Sequence, residues 1–250
     1  MICVSLRKLN QYNQMGSDFF RFKKFTIKQD KCAMKVGTDG VLLGAWAETK
    51  FATKIADIGT GTGLIAIMLA QKSNASVTGI EIDKEAARQA NENMSNTLWK
   101  DRLKIVEADI KDYYPHHEAE FDLIVSNPPF FNEKTKGHSE KRNIARHTEG
   151  LSFSLLVEAA SIMLKEKGRF SVIIPATSAQ EFISEAIRHK LNLTRKTEVI
   201  TKPGTPAKRV MMEFCKNTSN NATTECSQLL LSENGNKSQE YINLTSDFYL

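Results

Sequence analysis

The chain has 250 residues, 41% of them hydrophobic and 25% charged, the balance of a folded globular protein rather than a disordered or fibrous one. Its 34 Lys and Arg against 29 Asp and Glu give a net charge of +5, compatible with an anionic partner without requiring one. Cys3, Cys32, Cys215 and Cys226 lack metal-ligand or disulfide-framework spacing, and the longest apolar run, 64–70, is too short to cross a bilayer, so a cytoplasmic protein with no metal and no membrane segment is expected.

Taken in order, residues 1–15 carry no clear pattern and are expected to be a disordered extension, with Met15 an alternative start. Residues 19–27 alternate as a strand does, and 38–46 suit a short helix capped by Thr38 or Asp39. Residues 54–58 read as a buried strand running into a glycine loop, followed by a helix at 64–72. A strand at 76–82, a helix at 84–96 and strands at 103–107 and 121–126 continue the alternation. An amphipathic helix spans 151–165, with Leu151, Leu155, Ala159, Ile162 and Met163 on one face. A strand at 168–174, closed by Pro175, and a helix at 178–190 follow. Residues 193–200 and 209–214 suit an antiparallel pair around Lys202-Pro203-Gly204. Strands alternating with helices imply a mainly parallel sheet with right-handed crossovers, an α/β domain over 16–216. The polar stretch 217–239 is expected to be flexible, and the more apolar 240–250 to dock on the domain. Basic residues gather at 21–35, 134–147 and 188–209.

Asn127-Pro128-Pro129-Phe130 follows the strand at 121–126 directly. Proline fixes its own φ and pushes the preceding residue into an extended conformation. The Asn127 side chain and the Pro128 carbonyl are thereby held at one rigid point at a strand's carboxyl end. Together they can accept both hydrogen bonds of one NH₂ group, and Phe130 offers a face for a planar base. Lys134, Lys136, Lys141, Arg142, Arg146 and His147, just downstream, suit phosphate contacts.

The glycine loop reads Asp57-Ile58-Gly59-Thr60-Gly61-Thr62-Gly63. A dinucleotide fingerprint would place a small residue where Leu64 stands, and a P-loop would end in Gly-Lys-Ser/Thr. Neither is present. Glycines still let a ligand approach the backbone, and Asp57 suits an ammonium rather than a phosphate. S-adenosylmethionine, with an amino-acid end, an adenosine end and no phosphate, satisfies the pattern. Glu81 and Ile82 end the second strand, where an acid takes ribose hydroxyls, while Asp83 suits the cap of the following helix. Asp109 and Ile110 follow the third strand, where a carboxylate can accept from the adenine amine. For any one acid a helix cap or surface charge competes with that reading; the ordered series favours the cofactor.

These residues resemble the class I S-adenosylmethionine-dependent methyltransferases with an N-P-P-[FYW] tetrapeptide, over about 57–130. The run from Lys35 to Trp46 (KVGTDGVLLGAW), Ala145-Arg146-His147 and the closing Leu244-Thr245-Ser246-Asp247-Phe248-Tyr249-Leu250 resemble the bacterial tRNA1(Val) adenine-N6 methyltransferases. The resemblance implies a Rossmann-like, mainly parallel seven-stranded sheet with an antiparallel C-terminal strand and helices on both faces. It further implies methyl transfer to N6 of the adenine 3′ of the anticodon of a valine tRNA. Asp57, Gly59, Thr60, Gly61 and Gly63 would hold the methionine part of the cofactor, Glu81 its ribose and Asp109 its adenine. Thr38 and Asp39 would close over it, and Asn127, Pro128, Pro129 and Phe130 would form the catalytic tetrapeptide. A monomer is expected. Guanine N2 of ribosomal RNA and a protein glutamine amide remain alternative acceptors. A non-catalytic RNA-binding module and a nicotinamide oxidoreductase are more distant alternatives.

Overall fold

Apolar runs such as 54–58 and 121–126 become strands covered on both faces in the computed structural model, which describes residues 18–32, 34–129, 151–217 and 223–250. The main sheet contains β3 (Lys54–Ile58), β4 (Ser76–Glu81), β5 (Leu103–Glu107), β6 (Phe121–Ser126), β7 (Leu164–Pro175), β8 (Leu191–Ile200), β9 (Arg209–Lys216) and β10 (Glu225–Leu230). Their spatial order is β10-β8-β9-β7-β6-β3-β4-β5. Neighbours from β7 through β5 run parallel, and β9 lies antiparallel between β7 and β8. The chain winds from β3 outward to β5 and then returns on the other side of β3 with β6. The carboxyl ends of β3 and β6 therefore flank a crevice at the point where winding reverses.

Alternation divides the core in two. Ile55, Val77, Leu123, Val125, Ile173 and Met211 face one side, while Ala56, Ile80, Ile124, Val172, Ile174 and Met212 face the other. Burial on both faces makes these strands nearly continuous apolar runs. The first side is covered by α1 (Thr38–Trp46), α2 (Leu64–Lys72) and the C-terminal α7 (Gln239–Thr245). The second is covered by α5 (Phe153–Met163) and α6 (Ala179–Arg188) around Phe121, Phe170, Phe182 and Phe214. Between these elements lie α3 (Lys84–Ser95) and the short α4 (Ile110–Tyr113).

Four features differ from the sequence expectation. Residues 19–27 are not one strand but the hairpin of β1 (Phe19–Arg21) and β2 (Thr26–Lys28), turned by a Phe22 N–H bond to the Phe25 carbonyl at 2.8 Å. Helix α1 starts at Thr38, so its N-cap is Gly37, which has no side chain to cap with; Thr38 and Asp39 lie inside the helix, and the Asp39 carboxylate bonds Arg209. Helix α5 begins after Ser152, which caps it, and gives way at Leu164 to β7. The sheet has eight strands rather than seven. The additional strand is β10, within the polar stretch expected to be flexible. It pairs parallel with β8, exposes residues 225–228 and buries Leu229. An edge strand needs only backbone partners and one apolar anchor, so its polar face reads like a linker. After it, β11 (Ser232–Glu233) and β12 (Asn236–Lys237) form a small hairpin. Residues 1–15 lie outside the described residues. At the C-terminus, Tyr241 and Phe248 are buried, and the Phe248 carbonyl accepts from Lys23 N at 2.8 Å.

Helix α1 is held at its far end with unusual closeness. The Lys72 ammonium donates to the Ala45 and Ala47 carbonyls at 2.5 and 2.7 Å, satisfying acceptors that a helix end leaves bare. Burial pushes the pKa of this lysine down to about 8. The Arg195 guanidinium lies 3.7 Å from the Trp46 ring centre. Gly44 lets α1 close on α2: a Cβ there would sit 2.7 Å from Met68 Sδ and 3.1 Å from Met68 Cβ. Gly44→Ala is therefore expected to destabilise the protein by about 1–3 kcal/mol through overpacking, measured as the shift in urea midpoint at unchanged m-value.

Candidate active site

The crevice at the carboxyl ends of β3, β4, β5 and β6 is a cavity of about 1040 Å³. The loop leaving β3 carries Gly59, Gly61 and Gly63 at φ of 71°, 56° and 81°, the left-handed region that side-chain-bearing residues rarely adopt. A Cβ on Gly59 or Gly61 would meet nothing within 4 Å, and both glycines line the cavity. Their lack of side chains leaves room for a ligand against the backbone. Gly63 has another task, since its Cβ would stand 3.3 Å from Met94 Cε and 3.4 Å from Ala90 Cβ on α3.

The loop's backbone donors point inward. Gly59 N and Thr60 N donate to the Ile80 carbonyl at 2.9 and 3.2 Å. Gly61 N donates to Glu81 Oε2 at 2.8 Å, and Ala66 N to Asp57 Oδ2 at 3.2 Å. A phosphate-binding loop aims such N–H groups at its ligand; here they are committed to the protein. Glu81 also accepts from Asp83 N through Oε1 at 3.0 Å, so one carboxylate ties the exits of β3 and β4. Asp83 caps α3 by accepting from Ala86 N at 2.8 Å. Asp109 caps α4 by accepting from Lys111 N at 2.9 Å. Both acids line the cavity with Glu81, and Ile82 and Ile110 add apolar surface between them. Lys111 stands beside them, and the carboxylates of this wall suit hydroxyl groups rather than a phosphate.

Asp57 lies beneath the loop, with none of its surface exposed. Its Oδ2 accepts from Thr60 Oγ1 at 2.6 Å as well as from Ala66 N, while Oδ1 is buried with no partner among the described residues. Burial pushes its pKa up to about 7, against the lowering effect of the Thr60 and Ala66 hydrogen bonds.

The opposite wall comes from the segment between β2 and α1. Its course is pinned by α3: Asn93 accepts from Lys28 N and donates to the Lys28 and Thr62 carbonyls, each at 2.9 Å. Gln89 accepts from Lys31 N at 3.2 Å and donates to Asp30 Oδ1 at 2.6 Å. Thr38 and Asp39 line the cavity at the end of this wall, and Asp39 Oδ2 accepts from Arg209 Nε at 2.7 Å.

At the exit of β6, Ser126 Oγ donates to the Ile58 carbonyl at 2.9 Å and locks the two central strands together. Asn127 and Pro129 line the cavity and Pro128 is buried beside them. Asn127 Oδ1 is buried and has no hydrogen-bond partner among the described residues. A buried amide oxygen without a partner is costly, and this one belongs to a residue of the cavity wall.

The structure thus brings Thr38, Asp39, Gly59, Thr60, Gly61, Glu81, Ile82, Asp109, Ile110, Asn127 and Pro129 to one cavity. It sets Asp57, Gly63 and Pro128 behind its surface. Phe130, Lys134, Lys136, Lys141, Arg142, Arg146 and His147 lie outside the described residues. Cys32, Met34, Pro175 and Arg209 also line the cavity and were missed. For Arg209 a signal existed: an antiparallel strand beside the one closed by Pro175 must begin at the carboxyl edge. Among the described residues no group of three or more His, Cys, Asp and Glu side chains is placed to hold a metal ion.

The raised Asp57 pKa carries a pH signature. The folded protein holds the proton more tightly than the unfolded chain, so this group's contribution is complete below pH 3.8 and is lost as pH rises through about 7. Urea midpoints should show wild type losing stability relative to Asp57→Asn across that window, with the difference level above it.

Residues 34–202 match the family model described as the methyltransferase small domain. The chain is 45% identical over 240 residues to the tRNA1(Val) (adenine(37)-N6)-methyltransferase of Phocaeicola vulgatus, covering 94% of this chain and 99% of that one. It is 40% identical over 234 residues to the protein of that name from Haemophilus influenzae, with 92% and 98% covered. Its fold is similar to the crystal structure of a predicted O-methyltransferase from Agrobacterium tumefaciens, with a TM-score of 0.67, 21% identity, and coverage of 84% of this chain and 96% of that one. With its strand-end glycine loop and its Asn-Pro-Pro exit on one cavity, the chain belongs to the tRNA1(Val) (adenine(37)-N6)-methyltransferase family, built on a methyltransferase small domain.

Proposed function

We propose that this protein transfers the methyl group of S-adenosylmethionine to N6 of adenine 37 in tRNA1(Val), the reaction named for its relatives. The observation that carries the reading is Asn127 Oδ1, an acceptor without a partner among the described residues, on a residue of the cavity that the glycine loop and Glu81 also line.

The residues present fit S-adenosylmethionine. Gly59 and Gly61 leave the space a Cβ would take. Glu81 spends one bond per carboxylate oxygen on the protein, so each retains capacity for a ribose hydroxyl. Ile82 and Ile110 flank the place where an adenine ring would lie, with Asp109 at its edge to accept from the amine. Asp57 holds the loop from below and reaches the ligand only through it. When bound, the cofactor supplies an electrophilic methyl group on a cationic sulfur.

An exocyclic adenine amine is planar and weakly nucleophilic because its lone pair is delocalised into the ring. Asn127 Oδ1 and the Pro128 carbonyl would accept its two N–H groups and favour a tetrahedral nitrogen, freeing the lone pair for in-line attack. The two prolines make these acceptors rigid before the base arrives, so little reorganisation is needed. Extruding a base from an anticodon loop costs less than from a duplex. Phe130, as the tetrapeptide's last residue, would stack on the base, and the basic residues from Lys134 to His147 would meet RNA phosphates.

Asn127→Ala should lower kcat for tRNA methylation by about 10²–10³ while leaving S-adenosylmethionine affinity within about twofold; near-normal turnover would contradict the reading. Glu81→Ala should weaken cofactor binding by calorimetry at least 10-fold, on the order of 1.4 kcal/mol, because it removes an acceptor and frees Gly61 N.

A further inference from the structure

Of the three basic stretches, 188–209 is resolved by the structure into two groups of different character. Arg188 pairs with Glu185, Arg195 with Glu213, Lys196 with Glu198 and Arg209 with Asp39; of these paired basic residues only Arg209 lines the cavity. Lys202 and Lys208 are exposed and form no ion pair among the described residues. Both lie in the turn that joins β8 to β9, which ends at Arg209.

That turn stands beside the tetrapeptide. Strands β6, β7 and β9 are neighbours in that order. Ser126 pairs with Val172, so β7 continues for three residues alongside the tetrapeptide, to Pro175, which pairs with Arg209. The Ala176 N–H donates to the Lys208 carbonyl at 3.2 Å, fixing the turn to the end of β7. Two strand spacings, about 10 Å, separate the strand of Asn127 from that of Arg209. Pro175, Arg209 and Asn127 all line the cavity.

Charges of both signs line the cavity: Glu81, Asp83, Glu85 and Asp109 with Lys31, Lys35 and Lys111, and Asp39 with Arg209. Arg209 has Lys208 next to it and Lys202 on the same turn. Arg209 is half-buried, and its guanidinium is set in place by Nε donating to Asp39 at 2.7 Å and Nη1 to the Lys208 carbonyl at 3.2 Å. The turn itself is preformed. Gly204 has φ of 73°, and the Thr205 N–H and Oγ1 both donate to the Lys202 carbonyl, at 3.2 and 2.7 Å. Pro203 and Pro206 restrict it further. A rigid basic turn binds phosphates without first paying to order itself.

We propose that the β8–β9 turn, through Lys202, Lys208 and Arg209, is a phosphate-binding surface for the single-stranded RNA flanking the target nucleotide. The turn follows the tetrapeptide by more than 70 residues in sequence and is brought beside it by the β6-β7-β9 order of the sheet. This inference rests on the reading of the substrate as tRNA.

The test uses the full chain, with Lys202→Ala/Lys208→Ala as the principal variant and Arg209→Lys against Arg209→Ala as the second comparison. Binding of tRNA is measured across salt concentrations, S-adenosylmethionine binding by calorimetry, and KM and kcat for methylation. The double variant should lower the slope of log affinity against log salt by about 1.4–1.8, at about 0.7–0.9 per phosphate contact. It should raise KM for tRNA and leave cofactor affinity unchanged. Arg209→Lys should retain more tRNA affinity than Arg209→Ala. A double variant with wild-type slope and KM overturns the proposal alone, as does one that loses cofactor affinity in parallel, which would trace the effect to the fold. Wild type that neither binds nor methylates tRNA overturns the substrate reading and this inference together.

Discussion

The direction of the backbone N–H groups in the loop after β3 governs the chemistry of the cavity. Three glycines in the left-handed region turn the chain so that its donors bond Ile80, Glu81 and Asp57. The Gly59, Thr60 and Gly61 donors are thereby turned away from the ligand, unlike those of a phosphate-binding loop. The same hydrogen bonds fasten β3 to β4 and place Glu81 at the rim. Loop shape, sheet closure and ligand charge thus depend on one set of contacts. Asp57, without solvent and carrying one oxygen with no partner among the described residues, is the strained member of that set.

Two groups of residues meet on the cavity. The carboxylates of Glu81 and Asp109, with Ile82 and Ile110, suit a phosphate-free cofactor with an adenosine end. The other group joins the rigid Asn127 acceptor to a basic turn and suits the base of an anionic nucleic acid. Helix α1 closes the cavity between them: Asp39 meets Arg209 at one end, and Lys72 binds the carbonyls at the other.

Much of this was legible in the sequence because it is local. A glycine run after an apolar strand, an acid about 20 residues later and Asn-Pro-Pro after another strand each state their own geometry. The cap at Asp83 was equally local. What escaped depends on distant partners. Strand β10 exists because β8 presents a free edge, and its exposed Glu225, Cys226, Ser227 and Gln228 look like a linker in isolation. The hairpin at β1 and β2 is fixed by Asn93, 65 residues from Lys28. Arg209 reaches the cavity only because β9 inserts antiparallel between β7 and β8, and its partner Asp39 lies one residue inside α1, whose cap position falls to Gly37. Asp57, expected from its place before the glycines to meet the cofactor's ammonium, lies beneath the loop with none of its surface exposed, a depth that spacing along the chain does not encode.

Transfer of a methyl group to an exocyclic amine of a tRNA base is decided by following labelled methyl from S-adenosylmethionine into tRNA1(Val) lacking the modification, with nucleoside analysis and mapping. Label is expected in N6-methyladenosine at position 37. Label in N2-methylguanosine or in protein, with none in tRNA adenine, would contradict it.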